Sequence, residues 1–270
     1  MADIRYSKGS DFMVMTSRGR FICEKIELLE NMTVGRYFKG AKLVKLVDNA
    51  ISLVEEHRRS YTETQRIHKD IVTVVGGLPD ITSIKFGRKY QEATFDHWES
   101  DQAYRDHLDR VKLSFHEAAE RLERIDVLPV FATVIPFHIK TWNTHRKTIG
   151  ATSYLTHEKN YPNMQRRLNQ MICEINKFII TLNKNHDPSL VTPDLAQFHV
   201  KSQGESRKPS QRHRYIYNGM KKDGCHPNDP KKCPEGKSLV NDWYEELSNK
   251  QRINRMSTAS EKAIRVSMGC

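Results

Sequence analysis

Apolar residues fall along this chain in two alternating rhythms. Compact runs of β-branched and aromatic residues occur at FMVMT (12–16), TVGRYF (33–38), DIVTVV (70–75) and LPVFATVIP (128–136), with a weaker one at DLAQFHV (194–200). Each has the length and make-up of a strand. Between them, apolar residues recur three and four positions apart. The first such stretch carries Leu43, Leu46, Val47, Ile51 and Val54; the second, over roughly 100–126, carries Leu108, Val111, Leu113, Phe115, Ala118 and Leu122. A third covers 163–184 through Leu168, Met171, Ile172, Ile175, Phe178, Ile179 and Leu182, and KSLVNDWYEELSN (237–249) closes the series. This spacing puts one apolar stripe on each of four helices.

Strands that alternate with helices imply crossover connections and a parallel sheet covered on both faces. The expectation is an α/β protein, three-layered α/β/α, with five mainly parallel strands in a flavodoxin-like order. One domain spans 1–249, and 250–270 reads as a polar, loosely held tail. In such sheets the reactive groups gather beyond the carboxyl ends of the strands. The informative residues are therefore Ser17, Gly40, the GGLPD turn at 76–80, the segment IPFHIKTWNTHR at 135–146, and the loop DGCHPNDPKKC at 223–233.

Charge adds a second theme. The 270 residues carry a net charge of +11, and the stretch 199–222 holds seven Lys and Arg against one Glu. Within it Arg207, Lys208, Arg212 and Arg214 offer a surface for nucleic acid or an acidic partner, unless the segment is only a solvated loop. The longest apolar run, VLPVFATVIPF, is too short to span a bilayer. The amino terminus, MADIRYSKGSDF, lacks the apolar core of a secretory signal, so an intracellular, cytoplasmic protein is expected. Five cysteines are then expected as thiols. Cys225, His226 and Cys233 fall short of the four ligands of a structural zinc site, and no metal or other cofactor is expected.

The chemistry lies in Ser17, Asp223 and His226. A serine after the first strand can act as nucleophile if an imidazole accepts its proton and a carboxylate holds that imidazole in the right tautomer. Asp223 and His226 are three residues apart in a turn-rich loop, and Pro227 stiffens the backbone behind the histidine. The backbone N–H groups of Ser17 and Gly40 can begin an oxyanion hole.

These four motifs, in this order, resemble the SGNH (GDSL-like) hydrolase family. That family has a serine after its first strand, a glycine after the second, a G-x-N-D turn after the third and D-x-x-H before the last helix. MVMTSRGRF, KGAKLVKLVDN, VVGGLPDIT and DGCHPND stand in those places, and the resemblance spans roughly 11–249. It implies a Ser17–His226–Asp223 triad acting on a small ester, such as an acetyl group on a sugar or lipid. Two departures stand out: Met15-Thr16-Ser17 replaces G-D-S, and Pro79 occupies the position of the oxyanion asparagine. Proline has no N–H and no side-chain donor. Asn143, Trp142 and Arg146 are candidates to contact substrate or replace that donor. The alternative is a catalytically impaired SGNH-like protein that binds nucleic acid or an acidic partner, since such domains also occur in viral and retrotransposon proteins.

Overall fold

A computed structural model describes residues 10–28, 33–59, 69–87, 90–95, 97–148, 158–199, 220 and 225–267. Four parallel strands form its centre: β1 (Asp11–Thr16), β2 (Thr33–Phe38), β3 (Asp70–Val75) and, after the short β4 (Ser83–Gly87) and β5 (Tyr90–Thr94), β6 (Val127–Phe131). Their spatial order is β2-β1-β3-β6, while β4 and β5 pair as a separate antiparallel hairpin. All six residues of β3 and five of the six in β1 are buried, as central parallel strands require.

The strand period of two decides which residue faces which layer. In β1, Phe12 and Val14 pack into a core shared with α2 (Leu43–Arg59), α4 (Asp101–Glu123) and α6 (Tyr161–His186). Met13 and Met15 point the other way, toward α1 (Arg20–Leu28) and α7 (Pro234–Ser267). The two smaller helices, α3 (Leu78–Ile81) and α5 (Ile139–Thr148), lie in the connections after β3 and β6. The expected three-layer α/β/α architecture is therefore present. Among the described residues, no helix is long and apolar enough to cross a membrane.

Among the described residues the parallel sheet has no fifth strand. Residues 195–199 form a 3-10 turn instead, and the free edge of β6 is closed by side chains of α6. The Asn183 amide accepts from Phe131 N–H (3.0 Å) and donates to Phe131 C=O (2.9 Å). Asn176 does the same for Val134, at 2.7 and 3.2 Å. Two carboxamides thus satisfy the backbone groups that a neighbouring strand would otherwise pair.

The polar tail expected after residue 250 is also replaced by order, because α7 runs on to Ser267. Asn254 is buried and clamps the N–H and C=O of Val191 at 2.7 and 3.1 Å. Arg255 donates to Lys69 C=O (2.6 Å) and Ser10 C=O (2.9 Å) and meets the Asp11 carboxylate. Polar side chains do the holding, so no apolar stripe announces this part of the helix.

Candidate active site

The chain runs from β1 outward to β2 and then returns through α2 to β3 on the opposite side of β1. This reversal opens a crevice beyond the carboxyl ends of β1 and β3, where ligands of such sheets bind. Ser17 stands there, in a 3-10 turn (Ser17–Gly19) directly after β1. The loop before α7 faces it. A bridge between Met220 and Pro227, a bond from Asn228 Nδ2 to Met220 C=O (3.0 Å), and a turn closed on Asp229 C=O hold that loop. Pro234 then opens α7 at the first helical position, where its missing N–H costs nothing. This framework brings His226 Nε2 to 3.0 Å from Ser17 Oγ, across 209 residues of sequence.

A second contact runs beside the first. Arg18 is buried, and its guanidinium donates to Ile135 C=O (2.6 Å), Pro136 C=O (3.1 Å) and Cys225 Sγ (3.3 Å). Burial works to raise the Cys225 pKa, but the Arg18 charge and the hydrogen bond with His226 prevail and hold it below the ordinary thiol value. A buried guanidinium requires this kind of compensation.

The connections after β2 and β3 complete the rim. Gly40 has φ +62°, in the left-handed region that favours glycine. Gly77, at φ +94°, has no room for a side chain, because a Cβ there would stand 2.8 Å from Phe115. It leads into α3, with Pro79 in the first turn. The Asp80 carboxylate accepts the Leu43 N–H at 3.1 and 3.3 Å, tying this turn to the start of α2. Burial pushes the Asp80 carboxyl up to about 6, against the pull of that hydrogen bond.

These elements enclose a pocket of about 500 Å³. Its wall contains Ser17, Gly40 and His226 together with apolar Leu78, Pro79, Ala93, Phe137 and Trp142. Of the residues expected to contact substrate, Trp142 does line the pocket, with its ring centroid 6.1 Å from that of His226. Asn143 does not: it is fully buried and its amide is spent on Ala93 N–H (2.8 Å), Ala93 C=O (3.0 Å) and Tyr161 Oη (3.0 Å). It fixes the β4–β5 hairpin, and so the pocket wall at Ala93, instead of replacing the oxyanion donor. Arg146 lies outside this wall, its guanidinium over the Trp142 ring at 5.6 Å.

Asp223 and the basic residues Arg207, Lys208, Arg212 and Arg214 lie outside the described residues. Cys225 and Cys233 carry separate free thiols, and the Cys233 thiol donates to Glu235 Oε2 at 3.0 Å. Among the described residues, no three metal-ligating side chains converge. Sequence reading missed the Arg18–Cys225 pair, although each residue adjoins a predicted catalytic one. A lone arginine after a strand ordinarily reads as a surface charge.

No family model and no curated protein matches the sequence. Among solved structures the chain is similar to a GDSL-like lipase from Bacteroides thetaiotaomicron, at 14% identity and a TM-score of 0.50, over 92% of this chain and 88% of that one. It is also similar to an acetyl xylan esterase (13% identity, TM-score 0.41, covering 92% and 98% of the two chains). The OSK domain of Drosophila Oskar is a further neighbour (12% identity, TM-score 0.42, covering 86% of this chain and 85% of that one). The first of these likenesses carries the structural conclusion: the chain has the α/β fold of the SGNH, or GDSL-like, hydrolases.

Proposed function

We propose that the protein is a serine hydrolase of small esters. The observation that carries this reading is the 3.0 Å contact between Ser17 Oγ and His226 Nε2 in a pocket at the strand-order reversal. In the proposed reaction, neutral His226 takes the Ser17 proton as Oγ attacks the ester carbonyl carbon. The carbonyl π-electrons move to oxygen, and the N–H groups of Ser17 and Gly40 stabilise the resulting oxyanion. Collapse expels the alkoxy group, which leaves as an alcohol with the proton from His226. Water then attacks the acyl-Ser17 ester, giving its proton to His226, and the second collapse releases the carboxylic acid and returns the proton to Ser17. Asp223 is assigned to hold the His226 tautomer and stabilise the imidazolium.

The apolar part of the pocket wall suits an acyl or alkyl group. Pro79 brings no donor to the oxyanion, a loss worth about 10²–10³ in rate. A slow hydrolase is therefore expected. Initial rates on 4-nitrophenyl acetate test the reading: wild-type turnover that Ser17→Ala lacks supports it, and equal background rates for both proteins contradict it.

A further inference from the structure

Gly40 and Lys42 border more than the Ser17 pocket. They also line an open groove of about 700 Å³ along the connection from β2 to α2, together with Tyr37, Lys39, Val44 and Lys45. The two spaces therefore meet at the residues beside the proposed oxyanion site.

The charge of this groove is mainly positive, three lysines against the single carboxylate of Asp48 in its lining. Lys39, Lys42 and Lys45 are all exposed, and Lys42 and Lys45 are one helical turn apart at the start of α2. Among the described residues none of the three is in a salt bridge. Asp48 is paired with Arg121 at 2.6 Å, and the Asp80 carboxylate, which accepts the Leu43 N–H, interacts with the charge of Lys42, so Lys39 and Lys45 are the lysines with no acidic group set against them among the described residues. Arg18 adds nothing to the groove, since its guanidinium is spent on two carbonyls and Cys225. Beside the lysines, Tyr37 (42% exposed) and Val44 (55% exposed) offer apolar surface for a carbon chain.

We infer that the substrate is an acidic ester: one side of the scissile bond bears a carboxylate or phosphate that the Lys39–Lys42–Lys45 groove receives, and the other side is apolar. This inference rests on the hydrolase reading and names its substrate class. Three like charges beside one pocket raise the local concentration of an anion, an effect that salt screens.

Two matched pairs of esters test it. One pair puts the charge in the acyl half (4-nitrophenyl hemiglutarate against 4-nitrophenyl pentanoate). The other puts it in the leaving half (4-acetoxybenzoate against methyl 4-acetoxybenzoate). At low salt the acidic member of at least one pair should show kcat/KM about five- to twentyfold above its neutral partner, and 0.5 M salt or the double substitution Lys39→Gln/Lys45→Gln should bring that ratio close to one. Ser17-dependent hydrolysis with no preference for either acidic ester overturns the inference and leaves the hydrolase reading standing. A preference that persists in the double variant also overturns it. No Ser17-dependent hydrolysis of any of the four esters overturns both.

Discussion

Arg18 Nη2 stands 3.3 Å from the Cys225 sulfur, and each of these residues is the chain neighbour of one member of the Ser17–His226 contact. Two parallel contacts therefore join the end of β1 to the loop before α7. Arg18 extends the joint to a third segment through Ile135 C=O and Pro136 C=O. One buried cation thus holds three loops in register around the pocket.

Removing that cation strands its partners. Arg18→Leu leaves two buried carbonyls and a polarised thiol without a donor, so stability should fall by about 2–4 kcal/mol, since each unsatisfied buried group costs about 1–3 kcal/mol. Urea denaturation measures the loss. Arg18→Lys keeps the charge but cannot reach three acceptors with a planar fork, so it should recover only part of the stability.

Asp80 predicts a pH dependence with a definite sign. Burial raises its folded pKa to about 6, above the ordinary value of 3.8. Between those values the folded chain keeps a proton that the unfolded chain has released, so this group's contribution to stability is lost as pH rises through about 4 to 6. Asp80→Asn retains an acceptor for the Leu43 N–H and cannot ionise. Its stability relative to wild type should rise by ~2–3 kcal/mol between pH 4 and pH 7. A relative stability that stays flat across this range contradicts the assignment.

Pro79 marks the place where a donor is missing, and Pro79→Asn supplies one. The variant should raise kcat/KM for a small ester about 10- to 100-fold, short of the full value of an oxyanion donor in a site built around it. An unchanged or lower kcat/KM in a stable variant would show that position 79 does not face the developing charge.

The edge of β6 gives a prediction independent of chemistry. Asn183→Ala leaves the buried N–H and C=O of Phe131 without the partners they have at 3.0 and 2.9 Å. The cost should be about 2–4 kcal/mol, since each unsatisfied buried group costs about 1–3 kcal/mol. Thermal unfolding reads it directly.

The central strands were legible because β1 and β3 are buried on both faces and read as unbroken apolar runs. Ser17, Gly40 and His226 followed, since parallel order alone places strand ends and the last loop together. The fifth strand was misread because DLAQFHV has strand-like composition, while its place at the sheet edge is taken by two asparagines of α6. A signal for that existed: Asn176 and Asn183 are seven residues apart, on the same face as buried Ile172, Ile175 and Ile179. The β4–β5 hairpin gives only a weak signal, because SIKFG alternates over just Ile84, Lys85 and Phe86, and YQEAT sets Gln91 beside Glu92 without alternation. Trp142 and Asn143 show a finer limit. Adjacent residues on a helix point about 100° apart, and only the fold decides that one meets the pocket and the other the hairpin.

Ser17, activated by His226, is the nucleophile of the proposed hydrolysis. Labelling with a fluorophosphonate, followed by peptide mass spectrometry, tests this most directly. Covalent modification is expected on Ser17, abolished in Ser17→Ala and strongly slowed in His226→Ala. Absence of labelling in the folded wild-type protein, or modification at another residue that persists in Ser17→Ala, would contradict it.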